Sequence, residues 1–216
     1  MRRASSPGSP PVFHVGAHVR SHPPDAAFMN AGELFARWLL ANALGFVVGS
    51  LLGASNAGLI VAMLPRRPAL ILGDLVFGAA IGASQWLALR DSGGRTVPPR
   101  WILATSVGLA VGARAGTRLA PELIAVVPAP LSSVFGIFMG ASIGLATAWV
   151  LRDRLRPVLA FGWVALNVLA WVLGEGIAFS RGFSQWSIGF VGLVVASVTW
   201  IGVERLDRKP NARPDA

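Results

Sequence analysis

Three ionisable side chains stand inside long apolar runs of this sequence: Asp74, Arg114 and Glu175. A charge placed in hydrocarbon is costly and is retained where it binds something or is paired. Two carboxylates near one guanidinium can hold an ion or a polar solute, or they can neutralise the guanidinium as a structural ion pair. A third reading is that they are unrelated interfacial residues, because all three fall in the outer half of their segments. From there side chains reach the headgroup region.

A second group of polar residues is uncharged. Asn42, Thr105 and Asn167 each lie four residues after a Trp, and Gln85, Thr147 and Thr199 hold aligned positions in the intervening segments. Counting about 1.5 Å per residue from the nearest Arg or Trp puts all six roughly 6–8 Å inside one membrane boundary. Such a layer reads as interhelical hydrogen-bonded clasps, or as a polar constriction in a permeation path. His14, His18 and His22 are spaced four apart, which on a helix would align three imidazoles as metal ligands. The prolines around them argue against that helix, so no metal and no other cofactor is expected. The chain has no Cys, which excludes disulfides, thiolate metal sites and Cys nucleophiles. P-loop, HExxH, GxSxG and dinucleotide-binding motifs are absent, and the chain reads as not an enzyme.

The composition identifies the solvent of the elements that carry these residues. Of 216 residues, 54% are hydrophobic, a further 25 are Gly, and only 13% are charged, with a mean hydropathy of +0.60. Soluble domains carry roughly 25% charged residues, so lipid surrounds most of this chain. A bilayer-spanning helix needs about 20 apolar residues. Six segments qualify, at 38–56, 69–89, 101–119, 131–151, 158–179 and 186–203. Beyond the first, an apolar stretch continues to Leu64 and is either an interfacial piece or the end of a long tilted helix. The runs are apolar throughout rather than alternating, which excludes a β-barrel.

Residues 1–33 are rich in Pro, Ser and Gly and read as a disordered cytoplasmic tail. Met29 is an alternative start, in which case that tail is not translated. Residues 34–205 form the membrane domain, and 206–216 a basic cytoplasmic tail.

The odd segments align on a Trp: WLLANALGFVVG (38–49), WILATSVGLAVG (101–112) and WVALNVLAWVLG (163–174). The even segments align as GAAIGASQWLALRD (78–91) and GASIGLATAWVLRD (140–153), with seven of fourteen positions identical. The same offset of 62 residues relates both kinds of segment, and the sixth matches weakly through Gly192 and Trp200. The expected fold is therefore all-α and transmembrane, a six-helix bundle of three parallel two-helix hairpin repeats. Arg114 and Glu175 have no counterpart in the other repeats, where Leu51 and Gly176, and Ser50 and Ala113, stand instead.

GASQWLALR (82–90), followed by the Trp-led segment at 101–112, resembles a loose group of uncharacterised bacterial multi-pass membrane proteins. These repeat a Gly-x-x-Gln-Trp-x-x-Leu-Arg element along the chain. The resemblance covers most of residues 34–205 and implies a helical membrane fold without implying an activity.

With six spans both termini share one side. That side carries eleven Arg and Lys residues outside the first tail, against five on the other. The positive-inside rule then places both termini in the cytoplasm and the chain in the cell (inner or plasma) membrane. The net charge of +9 forms no patch or stripe, so the expected partner is the lipid bilayer and not nucleic acid. Glycines four apart, such as Gly45, Gly49 and Gly53, read as helix-packing faces. Trp38, Trp86, Trp101, Trp149, Trp163 and Trp200 read as an aromatic belt at the headgroups. The functional expectation is an integral membrane protein with a non-enzymatic structural or interaction role. The alternative is a small transporter or channel with a path past Asp74, Arg114 and Glu175.

Overall fold

The computed structural model of the chain describes residues 30–53, 58–92, 96–126 and 129–206. His14, His18, His22, Met29 and most of both tails lie outside the described residues. Within them the chain is all-helical: α1 (Ala31–Gly53), α2 (Leu59–Met63), α3 (Arg66–Leu89), α4 (Arg100–Val126), α5 (Leu131–Val150), α6 (Pro157–Arg181) and α7 (Gln185–Arg205).

Local sequence accounts for the helix ends. The Asn30 side-chain oxygen accepts from the Glu33 N–H at 2.7 Å, which satisfies one of the free amides of the first turn. That cap starts α1 at Ala31, so the expected boundary between tail and membrane domain at 33/34 falls inside a helix. Pro65 and Pro130 immediately precede α3 and α5, and Pro157 opens α6, where its missing N–H costs nothing. Gly182, at φ 75°, ends α6 in a conformation that side chains resist. The apolar stretch after α1 is not a continuation of it: α1 stops at Gly53 and the separate α2 follows. The segment 121–130, expected as a connection, is helical to Val126 because α4 runs on through Pro121. An apolar, helix-favouring ELIAV follows that proline, and membrane helices tolerate the lost hydrogen bond.

Five helices are long and apolar enough to cross a bilayer: α1, α3, α5, α6 and α7. The third expected span, 101–119 in α4, falls short of that apolarity because Arg114 and Arg118 interrupt it. Five such helices are the signature of an integral membrane protein. The outer surface agrees, since Leu40, Leu103, Leu145 and Phe161 are each at least 60% exposed. Water would not tolerate so continuous an apolar exterior.

The six long helices form a closed ring. Each packs mainly on two neighbours, in the order α1, α3, α4, α5, α6, α7 and back to α1. Glycines set the spacing. A methyl group at Gly53 would stand 2.2 Å from the Gly73 carbonyl oxygen on α3, and one at Gly140 would stand 2.5 Å from the Asn167 carbonyl on α6. At Gly192 on α7 it would stand 2.9 Å from the Asn42 carbonyl, which closes the ring onto α1. In lipid this close backbone approach supplies the dispersion contact that holds helices together.

Candidate functional site

One face of each odd-numbered segment turns towards the ring axis at four-residue intervals, the spacing that keeps a helix face constant. On α1 the series is Trp38, Asn42, Phe46, Ser50; on α4 it is Trp101, Thr105, Leu109, Ala113; on α6 it is Trp163, Asn167, Trp171, Glu175. Eleven of these twelve residues, all but Asn42, line one of two cavities inside the ring.

The narrower cavity, about 20 Å³, is lined by five of the six polar residues expected to form a layer, Gln85, Thr105, Thr147, Asn167 and Thr199, and the sixth, Asn42, is bonded to Gln85 beside it. All six are buried. Gln85 Nε2 donates to Asn42 Oδ1 at 2.8 Å, and Gln85 Oε1 accepts from the Trp101 indole N–H at 3.0 Å. The Trp163 indole donates to Thr147 Oγ1 at 2.9 Å, and the Trp38 indole to the Ala196 carbonyl at 3.1 Å. The three threonines donate to carbonyls four residues back on their own helices, and the Asn42 and Asn167 amides do the same to Trp38 and Trp163. Only the Gln85–Asn42 bond joins two members of the layer across helices, so the clasps expected from sequence run chiefly through tryptophan.

The aromatic belt needs correcting accordingly. Trp38, Trp101 and Trp163 are at most 4% exposed and close the axis instead of facing headgroups, with the Trp101 and Trp163 rings 5.9 Å apart. An indole suits an interface, but it suits an interior equally where its N–H finds an acceptor. Trp149, 60% exposed beneath Arg152, does occupy the outer surface.

The wider cavity, about 180 Å³, lies towards the end where α3, α5 and α7 begin and reaches Phe183 in the α6–α7 connection. All six long helices line it, through Ser50, Asp74, Ala113, Phe135, Glu175 and Val191 among others. Phe46 and Trp171 line both cavities, with ring centroids 5.4 Å apart, and form the partition between them. Neither residue was expected from sequence to have a chemical role. Their signal was the shared register, since Phe46, Leu109 and Trp171 each stand eight residues after their Trp.

The charged cluster divides into a pair and a single carboxylate. Arg114 Nη2 lies 2.6 Å from Asp74 Oδ2. Asp74 is 3% exposed and lines the wider cavity. Arg114 does not line it. Its side chain sits on the outer side, in a groove between α3 and α4 beside Arg118. Glu175 is 8% exposed, lines the cavity and, among the described residues, has no ion-pair or hydrogen-bond partner. Also among the described residues, no three His, Cys, Asp or Glu side chains converge as metal ligands. No protein-family model matches the chain, and no curated protein or solved structure matches it.

Proposed function

We propose that the chain is a small, non-enzymatic membrane transporter whose three hairpin repeats surround a solute site at Glu175. The observation that carries this reading is the unpartnered Glu175 carboxylate, buried in a cavity that all six long helices line. Structure alone would not keep such a group there, because a buried charge without a partner is destabilising. Asp74 has its cation in Arg114, so Glu175 is the group left to meet a solute.

Supporting the repeat, the axis-facing series of α1, α4 and α6 coincide with the aligned Trp segments. The other end of the ring repeats as well: Arg37 donates to the Leu87 carbonyl and Arg100 to the Val150 carbonyl, each across 50 residues. The arginine balance supports a cytoplasmic side for both termini, with the wide cavity towards the outer face of the cell membrane. A solute then enters from outside, meets Glu175, and is stopped by the Phe46–Trp171 partition and the tryptophan layer beneath it.

The structural or interaction role expected first from sequence is the second reading, and the hydrogen bonds that each member of the polar layer makes favour it. Water access separates the two. With no native Cys, Ala113→Cys and Ser50→Cys in intact cells should react with an impermeant thiol reagent, while Leu103→Cys on the lipid-facing side of α4 should not. If neither cavity position reacts, the cavity is a dry packing gap and the structural reading holds.

A further inference from the structure

We propose that the wide cavity binds a small organic ammonium ion; this rests on the transporter reading and names the class of its solute. Three observations point there. The cavity walls carry six aromatic rings, from Phe46, Phe77, Phe135, Trp171, Phe179 and Phe183. Each ring face is electron-rich and attracts a cation within about 6 Å of its centroid, most strongly where water is excluded. The charge in the cavity is acidic: Glu175 is unpartnered, Asp74 adds a second carboxylate edge, and no Arg, Lys or His is among the lining residues. An anion would meet two carboxylates there without a donor cation, since the Arg114 guanidinium is held on the far side of Asp74.

Size narrows the class further. A cavity of about 150 Å³ accommodates one benzene ring, and this one measures about 180 Å³. It therefore takes a single ring or a few alkyl groups around one nitrogen. The polar lining offers few hydrogen-bonding groups for a hydrated metal ion, whereas an alkylated nitrogen carries its charge behind carbon and needs few. Placement fits as well: Glu175 and Trp171 are one turn apart on α6 and line the same cavity, so a cation at the carboxylate is close to the indole.

The test is calorimetric titration of the full-length protein in detergent with N-methylpyridinium and with its uncharged isostere toluene, each a single ring with one methyl group. The cation should bind saturably, at least tenfold more tightly than the isostere. Glu175→Gln, which keeps the shape and removes the charge, should weaken the cation at least tenfold and leave the isostere unchanged. Phe179→Leu should weaken the cation severalfold, which guards against a Glu175 variant that merely fails to fold. Equal affinity for both probes, unaffected by Glu175→Gln, would overturn the ammonium assignment while leaving a solute cavity in place. Binding of neither probe at millimolar concentration would overturn the solute cavity itself.

Discussion

Asp74 and Glu175 are chemically alike and line the same cavity, yet their surroundings assign them opposite roles. Asp74 is tied to Arg114 at 2.6 Å, and Arg114 is 28% exposed on its far side. Removing the guanidinium by Arg114→Leu leaves a buried carboxylate uncompensated. The expected loss is about 3 kcal/mol, the low end for buried pairs because this one is partly open. Adding Asp74→Leu should recover much of it. Glu175→Gln should cost little or even stabilise, since no partner is orphaned. Thermal unfolding of the purified variants in detergent checks all three. If Arg114→Leu melts with the wild type, the contact is incidental. The sequence showed three intramembrane charges but not their grouping. Part of the grouping follows from register: Ala113 lies on the axis-facing series, and the next residue is turned about 100° away. That rotation takes Arg114 out of the cavity and towards α3. Glu175, by contrast, falls on the series itself.

At the scale of the helix, glycine spacing decides which faces meet. Gly140 and Gly176 both sit inside long helices, but a methyl at Gly140 would press on the Asn167 carbonyl at 2.5 Å, whereas Gly176 has open space within 4 Å. Gly140→Ala should therefore lower the melting temperature, because backbone on both sides must separate. Gly176→Ala should be neutral or raise stability by up to about 1 kcal/mol, the usual preference for Ala over Gly in a helix. Equal melting temperatures would mean that α5 and α6 adjust freely at their closest point. The existence and order of the six long helices was legible because each is an apolar run bounded by Pro, Arg or Gly. Their ends were less so. Asn30 starts α1 through a single side-chain bond, and α4 passes a proline that usually marks a stop. The burial of Trp38, Trp101 and Trp163 was hidden for a different reason: the acceptors of their indole N–H groups lie on other helices, and sequence position alone cannot show that they converge.

For the whole molecule, the ring and the arginine balance together predict an orientation that labelling can test. Ser92→Cys and Leu155→Cys, in connections on the arginine-rich side, should stay unlabelled by an impermeant thiol reagent in intact cells. Arg66→Cys and Arg181→Cys, at the opposite end, should label. Labelling at Ser92→Cys from outside would invert the protein and turn the wide cavity towards the cytoplasm. Closure of the ring also imposes an order in time. The Trp38 indole on α1 donates to the Ala196 carbonyl on α7, 158 residues further along the chain, and Gly192 docks at Asn42 beside it. While the ribosome is still making the intervening helices, α1 has its α3 face covered and its α7 face open to lipid, with a polar N–H unsatisfied. The last helix to be inserted is thus the one that completes the first. A chain halted before α7 leaves that seam exposed to the α7 of another copy, so exchange of terminal helices between molecules is the characteristic fault to expect when synthesis or insertion stops short.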